Sequence, residues 1–100
     1  MDRKQVAQIA ADYARQVKSV MDPDEIILYG SHAKGNAGAD SDIDIAVVFD
    51  RFDGDYWQTL RKLHELTISV DTRIEPVLLE SGNDPAGFVE LVRREGLHVN

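Results

Sequence analysis

Two apolar runs, Ile26-Ile27-Leu28-Tyr29 and Ile43 to Phe49, are joined by a connector that opens on Gly30-Ser31 and closes on Ser41-Asp42. Runs this short, bounded by glycine and acidic residues, predict strands over about 26–30 and 43–49. Side chains alternate along a strand, so Asp42 and Asp44 are expected to project from one face. Their Cα atoms would sit roughly 6.6 Å apart, near enough for both carboxylates to hold one ion. Two such charges ~4 Å apart repel by about 4 kcal/mol at an effective dielectric near 20. A divalent cation removes that penalty, and all-oxygen donors favour magnesium, manganese or calcium.

The first half of the stretch indicates what such a cation would hold. Gly30 falls where a strand ends, and a glycine there lets backbone approach a ligand closely. A helical turn starting at Ser31 would aim free N–H groups at an anion. The Ser31 hydroxyl and the Lys34 ammonium add a donor and a charge. This suits a polyphosphate whose remaining oxygens meet the cation at Asp42 and Asp44. Two rival readings fail. Asp40, Asp42 and Asp44 match the first, third and fifth positions of a calcium loop, but Ile45 and Arg51 stand where that loop needs Gly and Glu. Gly30 and Gly35 have P-loop spacing, but Asn36-Ala37 follows in place of Lys and Ser or Thr.

Gly30-Ser31, ten intervening residues and Asp42-Ile43-Asp44-Ile45 together resemble the signature of the DNA polymerase β-like nucleotidyltransferase superfamily. Within it, Gly-Ser-His-Ala-Lys-Gly followed by Ser-Asp-Ile-Asp-Ile is most similar to the minimal nucleotidyltransferases (MNT proteins), which accompany HEPN partners in toxin–antitoxin pairs. The commoner motif has Arg where this chain has Lys34, a change that keeps the charge and loses the bidentate fork. The resemblance implies Gly30, Ser31, Lys34 and Ser41 on the nucleotide side. It also implies a third carboxylate on a neighbouring strand. Glu75 is the candidate, interrupting Arg73-Ile74-Glu75-Pro76-Val77-Leu78, with Asp71 the alternative. Asp42, Asp44 and Glu75 would then be both catalytic residues and metal ligands, for magnesium or manganese.

At 100 residues the chain is expected to form a single domain over 1–100, with 43% hydrophobic residues for one core. No cysteine is present, no apolar run approaches a membrane span, and Met1-Asp2-Arg3-Lys4 leads into no signal-peptide core, which points to the cytoplasm. A net charge of −7 opposes a duplex-binding surface, which needs clustered Lys and Arg. It does not oppose nucleotide binding, where a metal ion supplies positive charge.

In chain order, Val6, Ile9, Ala10, Tyr13, Val17 and Val20 predict an amphipathic helix over 3–20, stopped by Asp22-Pro23. The Gly-rich connector from Lys34 to Ser41 reads as a loop, either a flap over bound nucleotide or a plain turn. The second strand is apolar on both faces beyond Asp44, as in a central strand. Asp55 is the expected N-cap of a helix whose stripe is Trp57, Leu60, Leu63 and Leu66, with Tyr56-Trp57 also able to serve an interface. A third strand is placed at about 72–79; Pro76 puts it at a sheet edge or a bulge. Asp84-Pro85 reads as the start of a last helix with stripe Phe88, Val89, Leu91 and Val92, ended by Gly96. His32 is expected to face solvent, His64 to lie on its helix edge and His98 in a loose terminus. The fold class is α/β (α+β): about three helices packed with a small mixed sheet of about three strands, which the resemblance identifies with the polymerase β-like fold.

The resemblance further implies transfer of an NMP, AMP foremost, from an NTP such as ATP to a hydroxyl. It implies that the hydroxyl belongs to a partner protein, a HEPN-type chain, or that a homo-oligomer completes the cleft. Two other classes remain open: a non-catalytic, antitoxin-like binding subunit, and a nucleotide-binding regulatory domain.

Overall fold

The computed structural model describes residues 2–38 and 40–99. Among them the order is α1 (Arg3–Lys18), β1 (Glu25–Tyr29), α2 (Ser31–Lys34), β2 (Ile43–Phe49), α3 (Tyr56–Thr67), β3 (Ile74–Glu80), α4 (Phe88–Glu95) and β4 (Leu97–His98). The sheet runs β3-β2-β1-β4. β2 is antiparallel to β1 and parallel to β3, and β4 is antiparallel to β1. The mixed α+β class stands, with one more helix and one more strand than the sequence predicts.

β2 occupies 43–49 as predicted and is central, because Ile43, Ile45 and Val47 face one core while Ala46 and Val48 face another. α1 and α3 cover the first face. Val6, Ala10, Tyr13 and Val17 pack there with Leu63 against Ile26, Leu28, Ile74 and Leu78. The buried Tyr13 hydroxyl donates to the Leu63 carbonyl at 2.7 Å and so ties the two helices together. Burial pushes that phenol's pKa up. α4 covers the second face, with Val89 and Val92 on Ile27, Ala46 and Val48. β3 lies at the edge, in unbroken register with β2, so the missing N–H of Pro76 disrupts no inner ladder.

Several boundaries differ from the sequence reading. α1 ends at Lys18 with Ser19 as C-cap, and Val20 is exposed. β1 begins at Glu25 and stops at Tyr29, because Gly30 takes φ +77. Asp55 does cap α3, accepting from the Gln58 N–H at 3.0 Å. Trp57, however, is 73% exposed and leaves the buried stripe. Consecutive helical residues point about 100° apart, and Tyr56 is the one whose hydroxyl reaches back to the Leu78 carbonyl, at 3.3 Å. β3 begins at Ile74, not 72, because the Asp71 carboxylate folds back onto the Arg73 N–H and guanidinium. α4 begins at Phe88 after a left-handed Gly87, three residues later than Asp84-Pro85 suggests. Asp84 still caps it from outside, accepting from the N–H groups of Val89 and Glu90 at 3.1 and 3.3 Å. Of the expected stripe, Val89 and Val92 are buried, while Phe88 and Leu91 remain 37% exposed.

The chain leaves Gly96 in an extended conformation and enters β4, which the sequence did not reveal. His98 is therefore not in a loose terminus. Its Nε2 meets Glu25 at 3.0 Å, and Arg93 pairs with the same carboxylate, so β1, α4 and β4 are joined at one corner. The Arg93 guanidinium, ahead of the smaller His98 effect and against partial burial, holds the Glu25 carboxyl below its usual range. Among the described residues no helix is long and apolar enough to cross a membrane.

Candidate active site

The site is assembled where three adjacent strands meet the Gly30 turn. Asp44 is the register partner of Tyr29 across the antiparallel pair and of Glu75 across the parallel pair. Side chains in register on neighbouring strands share a sheet face, so Tyr29, Asp44 and Glu75 form one row, on the face α4 covers lower down. Asp42 lies one residue before β2 begins and is exposed; Asp44 is half-buried and Glu75 exposed. The row thus opens to solvent at the Glu75 end, on the edge strand.

The register brings Tyr29, Asp44 and Glu75 side by side, and the carboxylate charges act on their neighbours in the row. The Asp44 carboxyl is pushed above its ordinary value by desolvation first, then by the charges of Asp42 and Glu75, with His32 opposing. The Tyr29 phenol is pushed up to about 12 by burial and by Asp44 and Glu75. It therefore remains a neutral O–H beside two carboxylates, held edge-on by Phe88 at a ring-centroid distance of 5.8 Å. Asp71, the alternative third acid, is engaged by Arg73 instead, which draws its pKa down.

Gly30 meets the row directly. A Cβ placed there would come 2.4 Å from Asp44 Oδ2, and its backbone, at φ 77 and ψ −152, is one that essentially only glycine adopts. The turn that follows, α2, therefore lies against the Asp44 carboxylate. Ser31, at its start, is half-buried. Lys34 does not point freely into this space: its ammonium pairs with Glu95 at 3.1 Å, both side chains being substantially exposed. The Ser41 hydroxyl oxygen accepts the Gly38 N–H at 2.8 Å, which leaves its O–H able to donate.

His32 is not solvent-facing as expected. It is 9% exposed, and its Nε2 contacts the Ser41 carbonyl at 3.3 Å. His64 is exposed on α3, as predicted. The expected connector loop from Lys34 to Ser41 carries no regular structure after Gly35, and its Ala39 lies outside the described residues. The sequence reading missed Tyr29 and misjudged His32. A signal for Tyr29 was present, since the residue before Gly30 must flank whatever that glycine approaches.

The donor set fits a hard divalent cation. It is all oxygen, and Asp44 is strained by like charges that a cation would offset. Among the described residues no three acidic or histidine side chains close a cage by themselves. Magnesium needs no such cage, since it keeps several waters and is held by one or two carboxylates plus substrate phosphates.

This combination of a mixed sheet, a Gly-Ser turn and strand-borne carboxylates defines a nucleotide-transferring class of protein, and comparison with known proteins agrees. Residues 8–85 match the model of the nucleotidyltransferase domain family, and the chain belongs to that family. It is accordingly an enzyme of the nucleotidyltransferase kind, moving a nucleoside monophosphate. Its fold is similar to the crystal structure of a Sulfolobus solfataricus protein assigned as a nucleotidyltransferase, with TM-score 0.72 and 18% identity over 96% of this chain and 80% of that one. No curated protein matches it significantly.

Proposed function

We propose that the chain is a metal-dependent nucleotidyltransferase that moves AMP from ATP to a hydroxyl group on a protein. The supporting observation is the Asp44–Glu75 pair across β2 and β3, with the Gly30 turn pressed against Asp44. Asp42, Asp44 and Glu75 would hold magnesium or manganese. When bound, the ion would neutralise phosphate charge and acidify the acceptor hydroxyl. The protein's own part is to bind and to orient. Gly30 gives the triphosphate room to approach the backbone, and Ser31 offers a hydroxyl donor. Lys34 would exchange Glu95 for a phosphate, at little cost because an exposed ion pair contributes about 1 kcal/mol or less. Ser41 contributes by fixing the loop before Asp42.

The acceptor oxygen attacks the α-phosphorus and forms the new P–O bond. The bond from the α-phosphorus to the bridging oxygen breaks, and pyrophosphate departs with that electron pair. The hydroxyl proton leaves toward solvent at the open Glu75 end. Resemblance to the MNT proteins supports a partner protein, such as a HEPN-type chain, as the source of the hydroxyl, and an antitoxin-like role in such a pair. The cysteine-free sequence is in keeping with a cytoplasmic setting.

The test is incubation with each α-labelled NTP, a divalent cation and candidate acceptors. Released pyrophosphate and a labelled product, lost on chelation, are the expected result. Tight nucleotide binding without pyrophosphate release would favour a regulatory domain. No nucleotide binding at all, with partner binding intact, would favour a purely covering subunit.

A further inference from the structure

We propose that His32 is a positioning residue, clipping the α2 turn to the segment that delivers Asp42 so that the Gly30 turn and the carboxylates are pre-set against each other. The inference rests on the reading of Asp42 and Asp44 as metal ligands. α2 is a single turn of four residues, and the other three are half-buried or exposed. A polar ring buried in such a place costs free energy unless it is hydrogen-bonded. Its partner is the Ser41 carbonyl, one residue before Asp42. A carbonyl only accepts, so Nε2 must carry the proton. Between α2 and β2 the described chain has no regular structure, and the other brace on Ser41 is local, to Gly38. Asp42 is thus flanked by two long-range ties, the Ile43 N–H donating to the Arg73 carbonyl at 2.9 Å on one side and His32 on the Ser41 carbonyl on the other. Only the second links it to the Gly30 turn, and the His32 ring also acts electrostatically on Asp44. Groups that orient metal ligands in this way change metal affinity by about 10–100-fold when removed.

The ring also borders a cleft of about 900 Å³ lined by Arg3, Lys4, Leu28 and Leu97, so a smaller polar side chain fits without forcing the core apart. This makes a matched pair of variants informative. In His32→Gln the amide nitrogen can occupy the place of Nε2. In His32→Asn it falls one methylene short of the Ser41 carbonyl. Binding of Mn²⁺ to the isolated chain is measured by electron paramagnetic resonance, beside metal-free melting curves and an Asp44→Asn control. The expected result is that His32→Gln stays within about threefold of the parent while His32→Asn weakens Mn²⁺ binding about tenfold or more. Both should stay folded without metal, His32→Asn melting a few degrees lower for its lost hydrogen bond. Equal Mn²⁺ affinity in the two folded variants overturns the role given to His32. If Asp44→Asn binds Mn²⁺ as the parent does, the metal-site reading itself has failed, an outcome distinct from failure of the histidine clip alone.

Discussion

At Asp44 three effects act in the same direction. Partial burial, the Asp42 charge and the Glu75 charge all raise its pKa, and only His32 opposes them. A carboxyl raised in the folded state favours folding when protonated. That contribution is complete below the ordinary value of 3.8 and is lost as pH rises through the raised one. Asp44→Asn removes the charged form, so its melting temperature should exceed the parent's at pH 7, and the gap should shrink as pH falls through the acid range. Adding Mg²⁺ or Mn²⁺ should raise the parent's melting temperature and leave the variant's unchanged, because binding to the folded state alone stabilises it. Transfer activity should be lost in the same variant. Thermal scans across pH, with and without the cation, check all three. Gly30 makes a second case at this scale. Gly30→Ala imposes a side chain on a glycine-only backbone region and drives its Cβ into the Asp44 carboxylate, so a loss of about 1–3 kcal/mol is expected in denaturant titrations.

Elements differ in how far the sequence exposes them. β2 was legible to the residue, since its apolar run is bracketed by Asp42 and Asp50 and packed on both faces. Pro76 correctly marked the edge strand. β4 was not legible, because two residues held by backbone pairing to Ile27 and Leu28 have no periodicity to detect. α2 is likewise too short for a pattern, which is why burial of His32 could not be read from its neighbours. In α4 the Asp84-Pro85 signal marked a real cap but misplaced the start, because Gly87 turns left-handed before the helix begins. The position of Asp44 near the start of β2 was legible from spacing. The choice between Glu75 and Asp71 was not, since it depends on a cross-strand register and on the Asp71–Arg73 contact. That choice can be tested. Glu75→Gln should depress kcat more than it raises the KM for nucleotide, as expected of a group serving the acceptor side. Asp71→Asn should leave kcat near the parent value and only loosen the turn into β3. Steady-state kinetics on both variants decide it, and a collapse of kcat in Asp71→Asn alone would reverse the assignment.

For the whole molecule, the question is which acceptor can reach an opening at the edge of the sheet. The carboxylate row ends at Glu75 on β3, so an acceptor approaches from beside the sheet, not through a channel. A long nucleic acid approaching that edge meets a chain of net charge −7, and its phosphates would be repelled except where a metal ion intervenes. A protein hydroxyl carries no such penalty. α3, the helix between β2 and β3, lies on the sheet face opposite the carboxylate row. It exposes Trp57 to 73%, and its C-cap Ile68 is 75% exposed, so a partner docked there would reach the row around the β3 edge. Large exposed apolar side chains, tryptophan above all, anchor protein interfaces. Under the proposed function, transfer of labelled AMP should go to Ser, Thr or Tyr of a partner protein, and Trp57→Ala should reduce that transfer by raising the KM for the protein acceptor. The same variant should leave nucleotide binding and melting temperature nearly unchanged, because the exposed ring contributes little to the core. Intact mass measurement of both chains after incubation with ATP and Mg²⁺ reads the adduct directly. Label appearing instead on RNA, with comparable efficiency and independent of Trp57, would show that charge does not select the acceptor and that the α3 face is unrelated to it.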